Sequence, residues 1–200
     1  TAFLSLAYFK IDTLLLSIMR SPTEVGIYGL SYKVLENVLM FWGLYMASVF
    51  PLLSRYYGAS ESIRFRDLLN KSMLALLVLS LCTMIFGFTF APLVMRILGG
   101  SHFFSSIYPF RILLFAVPFF LLNNLFYNVI LSFGRTKYLV LPLVLSLTVN
   151  IVLNLLVIPK YGFIGASYVT VVCELLTTIT YFAVIFSSFK QEKPYWKILV

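Results

Sequence analysis

Six apolar stretches, each about as long as a lipid bilayer is thick, constrain this chain more than any other feature. A helix needs about 20 apolar residues to cross the hydrocarbon core, whereas a membrane strand needs only about 9–11 with alternating polarity. The lengths therefore predict six transmembrane helices, with residues 190–200 forming a cytoplasmic tail or a linker to further helices. The predicted spans are residues 1–19, 25–51, 72–91, 112–133, 138–158 and 164–189.

Charge content supports the same fold class. Charged residues make up 11% of the chain, against roughly a quarter in a soluble domain, so they cannot cover a water-facing surface. We expect an all-α integral membrane bundle of six helices. The net charge of +8 does not indicate a nucleic-acid partner, because Lys and Arg collect on the cytoplasmic side of membrane proteins. The chain begins inside an apolar run at Thr1, which we interpret as the cut end of a longer protein.

The basic residues outside the spans indicate the orientation. Nine lie in the segments 54–71, 134–137 and 190–200, and four lie at the alternate ends, at Arg20, Arg96, Arg111 and Lys160. The positive-inside rule places the three richer segments in the cytoplasm. Residues 60–69 suit either a short interfacial helix or a plain polar loop.

Polar residues at membrane depth are the candidate functional residues. They are Lys10 and Asp12 in the first span, Lys33, Glu36 and Asn37 in the second, and Glu174 in the sixth. Each ionisable group there costs about 2.5–3.5 kcal/mol on insertion scales, so it should face a protein interior or a wet cavity. Asp12 and Lys33 both lie about 15 Å from the turn that joins the first two spans. We expect one charged layer, either a salt-bridged hairpin with Asp12 facing Lys10 or Lys33, or a cavity wall with an ion-coupling site.

Glu174 has no partner in this interpretation, so it is either protonated and buried or part of a cavity. Two pairs of amides each share one helical face, Asn124 with Asn128 and Asn150 with Asn154. Such pairs either hold helices together or contact a substrate. The candidate cavity residues are Lys10, Lys33, Asn37, Asn124 and Asn128. The candidates for ion coupling or a salt bridge are Asp12, Glu36 and Glu174.

The sequence lacks the residues that several classes of reaction require. The sequence has no phosphate-binding loop and no H-E-x-x-H zinc motif, and His102 is its single histidine. We therefore expect no metal, no cofactor, no use of ATP within the chain and no enzymatic activity. A membrane polymerase or ligase should carry a large outer loop with catalytic Arg or His, and the longest outer loop here covers only residues 99–108. A purely structural scaffold does not explain the charged layer.

Two sequence blocks resemble a known family. The first contains DTLLL from Asp12, VGIYGLSYK from Val25 and FPLLSR from Phe50; the second contains NIVLN from Asn150 and IPKYGFIGA from Ile158. They are similar to the polysaccharide flippases, of O-antigen and capsule type, in the multidrug/oligosaccharidyl-lipid/polysaccharide exporter superfamily. The resemblance implies 12–14 helices in two six-helix bundles. This chain would form most of the C-terminal half and would have the N-terminal half as its partner.

The resemblance also implies a function, namely alternating access that carries an undecaprenyl-pyrophosphate-linked oligosaccharide across the cytoplasmic membrane for polysaccharide biosynthesis. Lys10 and Lys33 match a cationic cavity, and H⁺ or Na⁺ is the candidate coupling ion. The alternatives are a drug/cation antiporter, in which Asp12, Glu36 and Glu174 would couple to ions, or a lipid II flippase of the same superfamily.

Overall fold

The computed structural model describes the backbone of residues 2–188 and the side chains of residues 10–187. Every regular element in that part of the chain is helical. The helices are α1 (Ala2–Met19), α2 (Pro22–Gly58), α3 (Ser62–Gly99), α4 (Ile107–Leu114), α5 (Val117–Ser132) and α6 (Val140–Ser188), with 3₁₀ turns at Ser101–Ser106 and Thr136–Leu139. The predicted all-α membrane bundle is confirmed. The segment 190–200, expected to be a tail or linker, lies outside the described residues.

Three helices, α2, α3 and α6, are long and apolar enough to cross a membrane. At 37 and 38 residues, α2 and α3 are each roughly 55 Å long and exceed the thickness of the hydrocarbon core. Because α3 already begins at Ser62, residues 62–69 are its first two turns. The structure therefore contradicts the polar loop over residues 60–69 and shows a helix from Ser62, continuous with α3 instead of short. Its position at the interface stays a prediction. The exact position of the bilayer along these helices stays a prediction.

Helix α6 is interrupted at Gly162, where φ is +55° and ψ is −141°. The break divides α6 into two arms, residues 140–161 and 163–188, which correspond to two of the predicted spans. Glycine is favoured at this point because the backbone conformation is one that other residues rarely adopt. A Cβ atom at Gly162 would also meet the carboxylate of Glu24, which ends a flexible side chain and can move aside. Glu24 itself lies 3.6 Å from the Arg20 guanidinium.

A second predicted span, residues 112–133, is bent in the structure. The helical segment Ser101–Leu114 meets Val117–Ser132 at an angle of 49°, and the pair is a further candidate for a membrane crossing. The bend falls at residues 115–116, immediately before Pro118. Proline is tolerated in the first turn of a helix, where its missing N–H has no helical acceptor.

The bundle has a buried interior and an apolar exterior. Helix α1 packs mainly against α6, and α5 lies against α2, α3 and α6. Tyr28 and Leu35 of α2 are fully buried, whereas Ile18, Phe41 and Ile97 are about 70% exposed. Large apolar side chains in contact with solvent would be unfavourable in water, so this exterior suits a lipid environment. The polar cluster around Asp12 lies in the interior between α1, α2 and the two arms of α6.

Candidate functional site

Asp12 is a buried carboxylate at the centre of the bundle, with 2% of its surface exposed. Asn154 donates to its Oδ1 at 2.8 Å, and Thr170 donates to its Oδ2 at 2.8 Å. The Tyr28 hydroxyl donates to Oδ2 at 3.2 Å. Asp12 therefore joins α1 to α2 and to both arms of α6.

The break at Gly162 brings the donors from α6 together. Asn154 lies on the first arm, one helical turn after Asn150, and its amide also donates to the Asn150 Oδ1 at 3.0 Å. Thr170 lies on the second arm, and its hydroxyl, which donates to Asp12, also lies 3.0 Å from the carbonyl oxygen of Ala166. A single straight helix could not place both arms against the same carboxylate.

The orientation of the Asn154 amide follows from its acceptors. Its nitrogen faces two oxygens, those of Asp12 and Asn150, so rotating the amide would place oxygen against oxygen. The Asn154 Oδ1 atom is consequently left buried without a hydrogen-bond partner. A buried carbonyl oxygen without a donor costs about 1–3 kcal/mol, and a bound cation or water would remove that cost.

The groups around Asp12 are suited to a small hard cation or to a proton. Carboxylate and hydroxyl oxygens are ligands that such cations prefer, and Asp12, Tyr28 and Thr170 supply them within one cluster. In the part of the chain that the structure describes, no group of three His, Cys, Asp or Glu residues could hold a metal ion. The single carboxylate charge favours a monovalent cation over a divalent one.

The expected pairing of Asp12 with Lys10 or Lys33 is wrong. Among the described residues Asp12 makes no ion pair, and both lysines are exposed. The prediction used depth along the helices but not direction around them. Lys10 and Asp12 are two residues apart, which turns them about 200° from each other on a helix. Neutral donors therefore take the place of the expected ammonium group.

Lys10, Lys33, Glu36 and Asn37 lie on the outer face of α1 and α2. Lys10 forms a salt bridge to Glu36 at 2.7 Å, with side-chain exposures of 65% and 34%. Lys33 has no ion pair within the described residues, and its carbonyl accepts a bond from the Asn37 amide at 2.9 Å. A salt bridge does connect the first two helices, but it lies at the surface and does not include Asp12.

Glu174, expected without a partner, is 2% exposed and contacts Asn123 of α5. The Asn123 amide donates to Glu174 Oε2 at 2.8 Å and to its carbonyl at 3.1 Å. Thr177 lies about one turn further along the second arm of α6. Its hydroxyl is 2.6 Å from the hydroxyl of Ser146 on the first arm. Glu174 thus belongs to a second buried polar cluster, one helical turn from Thr170.

The two amide pairs differ in their contacts. Asn154 bonds across helices to Asp12, and both Asn150 and Asn154 are buried. Asn128 instead donates to the carbonyl and side-chain oxygens of Asn124 at 2.8 Å, within α5. Asn124 is exposed and lines a small cavity of about 70 Å³ beside Trp42.

Three site residues were missed by sequence reasoning, namely Tyr28, Asn123 and Thr170. Hydroxyls and amides are common in membrane helices, so residue type alone did not distinguish them. One signal was present, since Thr170 and Glu174 are four residues apart and share a face with buried Ala166. A polar stripe of that spacing on an apolar helix indicates a buried polar contact.

Similarity to known proteins identifies the family to which this geometry belongs. The pattern of the MatE family matches residues 1–156 of the chain. The chain belongs to the MatE family. Proteins of this family are transporters, and this MatE chain is a multi-pass membrane protein.

Relatives and a solved structure agree with that assignment. The MatE chain is 21% identical over 172 residues to the probable low-salt glycan biosynthesis flippase Agl15 of Haloferax volcanii, covering 86% of this chain and 36% of the relative. It is 25% identical over 163 residues to a putative O-antigen transporter of Shigella flexneri, covering 81% and 38%. A multidrug resistance MATE family transporter in an outward-facing conformation shares the fold, with a TM-score of 0.83 and 20% identity over 97% of this chain and 43% of that one. The chain therefore spans under half the length of these relatives.

Proposed function

We propose that this MatE chain is part of an alternating-access flippase that carries an undecaprenyl-pyrophosphate-linked oligosaccharide across the cytoplasmic membrane. The names of two relatives, a glycan biosynthesis flippase and an O-antigen transporter, support this substrate class. The remainder of the transporter would be supplied by an N-terminal half.

The observation that carries the proposal is the exposed cationic patch formed by Lys10 and Lys33 on neighbouring helices. The patch contains two ammonium groups against one carboxylate, Glu36, and Glu36 is already paired with Lys10. Lys33 is therefore left to meet an external anion. A pyrophosphate group is such an anion, and its attraction to an ammonium group is stronger in a membrane cavity than in bulk water.

Ion coupling is proposed at Asp12, with Na⁺ or H⁺ as the coupling ion. Helix α1 carries both Lys10 and Asp12, and α2 carries both Lys33 and Tyr28. An ion that binds Asp12 would pull α1, α2 and both arms of α6 together, and the position of the two lysines would change with them. An ion shifts the equilibrium between two conformations of the transporter only as far as it binds one of them more tightly than the other.

A drug/cation antiporter is the second candidate, because a multidrug MATE transporter shares the fold. Its requirement would be a carboxylate available to a cationic drug. In the patch around Lys10 and Lys33, the carboxylate is Glu36, which is paired with Lys10, so a cationic drug would meet net positive charge there. This charge balance favours an anionic substrate. A lipid II flippase has the same pyrophosphate chemistry and differs in the glycan carried.

The test is complementation of a gene deletion in the host that makes the protein, scored for surface polysaccharide at matched protein levels. We expect the deletion to stop export, the wild type to restore it and Lys33→Ala to fail. Lys33→Arg should restore part of the export, because the charge is kept while its geometry changes. Lys71→Ala is the matched control, since Lys71 is an exposed lysine of α3 paired with Asp67 at 2.7 Å.

Three outcomes would overturn the proposal or part of it. If Lys33→Ala combined with Glu36→Gln recovers export, Lys33 serves only to balance Glu36 and does not contact the substrate. If the deletion leaves surface polysaccharide unchanged but raises susceptibility to cationic drugs, the protein is an antiporter. Accumulation of the peptidoglycan precursor in place of the glycan intermediate would identify lipid II as the substrate.

A further inference from the structure

An apolar groove of about 390 Å³ runs between α2, α3 and α4 and is open along one side. On α2 it is lined by Val34, Val38 and Trp42, which are spaced four residues apart on one face. On α3 its lining extends from Leu79 to Val94, a distance of about 22 Å along the helix. Its length and its apolar walls suit an extended hydrocarbon chain.

The close approach of α4 to α3 forms one wall of this groove. A Cβ atom at Gly87 would lie 2.7 Å from a methyl carbon of Leu114, so the absence of a side chain at Gly87 allows Leu114 to reach α3. Both residues line the groove. The groove is therefore a product of helix packing and not a loose seam between helices.

Lys33 is the charged residue next to the groove lining in sequence. It precedes Val34 in sequence, about 100° around α2 from the groove wall, and its side chain is exposed. Val34 lies 24 residues before Gly58, the end of α2, and Phe86 lies 24 residues after Ser62, the start of α3. Val34 and Phe86 are thus at about the same depth along the two antiparallel helices. On α3 the groove lining continues past this depth in both directions, to Leu79 and to Val94.

We propose that this groove holds the polyprenyl tail of the lipid-linked substrate while the pyrophosphate group lies at Lys33. The inference rests on the proposed function and adds a binding site for the hydrocarbon part of the substrate. A glycan on a lipid carrier has one end that must leave the bilayer and one end that must remain in an apolar environment. A groove that extends on both sides of Lys33 keeps the tail in contact with apolar side chains as the charged group passes that level.

A native thiol makes the site testable, because Cys82 lies in the groove wall and is exposed whereas Cys173 is buried. The full-length protein is placed in phosphatidylethanolamine nanodiscs, and alkylation of Cys82 by N-ethylmaleimide is followed by mass spectrometry of its peptide. Undecaprenyl phosphate at about ten times its dissociation constant should slow alkylation roughly tenfold, since about nine sites in ten are then occupied. The same amount of phosphatidylglycerol should give little protection.

Variants locate the tail. Thr83→Phe places a ring inside the groove and should abolish protection, and Val38→Phe should do the same from α2. Ile85→Phe is the matched control, because Ile85 is two residues from Thr83, on the opposite side of α3, and is 66% exposed. Lys33→Ala should weaken protection by undecaprenyl phosphate, since the phosphate then lacks its cation.

Equal protection by phosphatidylglycerol, or none by undecaprenyl phosphate, overturns the inference. Glycan export by the same variants separates this failure from failure of the proposed function. If the gene deletion stops export but Thr83→Phe exports like Ile85→Phe, the groove assignment alone is wrong. If the deletion leaves export unchanged, the flippase proposal is wrong whatever the thiol assay gives.

Discussion

Asn154 donates its amide nitrogen to the Asp12 carboxylate at 2.8 Å, while the oxygen of the same amide is buried without a hydrogen-bond partner. The two residues are 142 positions apart in sequence, and the contact joins α1 to the first arm of α6. A buried negative charge next to a buried acceptor is unfavourable by itself. A cation or a proton bound at Asp12 would be stabilised by the carboxylate charge.

Replacing Asp12 by Asn is expected to remove ion binding. The change preserves the shape of the side chain but removes its charge, and we expect affinity for the coupling ion to fall about 10- to 100-fold. The measurements are the rise in melting temperature caused by NaCl, compared with choline chloride, and the dissipation of a pH gradient in proteoliposomes. The fold should survive, because a buried charge is costly and its removal is often tolerated.

Asp67→Asn is the control for this prediction. Asp67 is an exposed aspartate paired with Lys71 at 2.7 Å on the surface of α3, so both ion responses should be unchanged. Ion responses of the Asp12 variant that equal those of the wild type would show that the coupling ion binds elsewhere.

Gly162→Ala is expected to destabilise the protein by about 1–3 kcal/mol, because alanine rarely adopts a φ of +55°. Gly29→Ala is the matched control. Gly29 lies inside α2, where an added Cβ would meet no neighbouring side chain within 4 Å, and alanine there should be neutral or stabilising by about 0.5–1 kcal/mol. Thermal unfolding in one detergent compares the two. Equal melting temperatures would mean that the break in α6 does not depend on glycine.

The Arg111 guanidinium donates to the Phe88 carbonyl at 3.1 and 3.3 Å. In a regular helix that carbonyl would accept from residue 92, but Pro92 has no N–H. Arg111→Met should therefore lower the melting temperature, because a carbonyl left without a donor costs about 1–3 kcal/mol in the free energy of unfolding. Adding Pro92→Ala restores a backbone donor, so the double variant should recover part of the loss. Failure to recover would assign the effect to the contact of Arg111 with the Phe88 ring, 4.6 Å away.

Single cysteines test the predicted orientation. Ser62→Cys and Thr136→Cys lie within the segments assigned to the cytoplasm, so a membrane-impermeant maleimide should not label them in intact cells. His102→Cys lies in the 3₁₀ turn Ser101–Ser106, on the predicted outer side, and should be labelled. Labelling of position 62 or 136 from outside, with position 102 protected, would invert the topology.

The sequence by itself determined the fold class and most of the helices. Apolar stretches of about 20 residues can satisfy their backbone hydrogen bonds in lipid only as helices, so their number and length indicated the bundle. The sequence blocks around Asp12 and Asn150 indicated a resemblance to the polysaccharide flippases. Sequence also identified Asp12 and Glu174 as unusual, because a carboxylate at membrane depth is costly wherever it points.

Tertiary structure decided which groups meet. Depth along a helix follows from counting residues, but direction around the helix and the path of a broken helix do not. Asp12 and Lys10 share a level yet point to opposite sides, so the carboxylate meets Thr170 and Asn154 while the ammonium reaches Glu36. Thr170 and Asn154 come from the two arms of α6, which approach each other only because the helix breaks at Gly162. Local spacing in the sequence does not predict that contact.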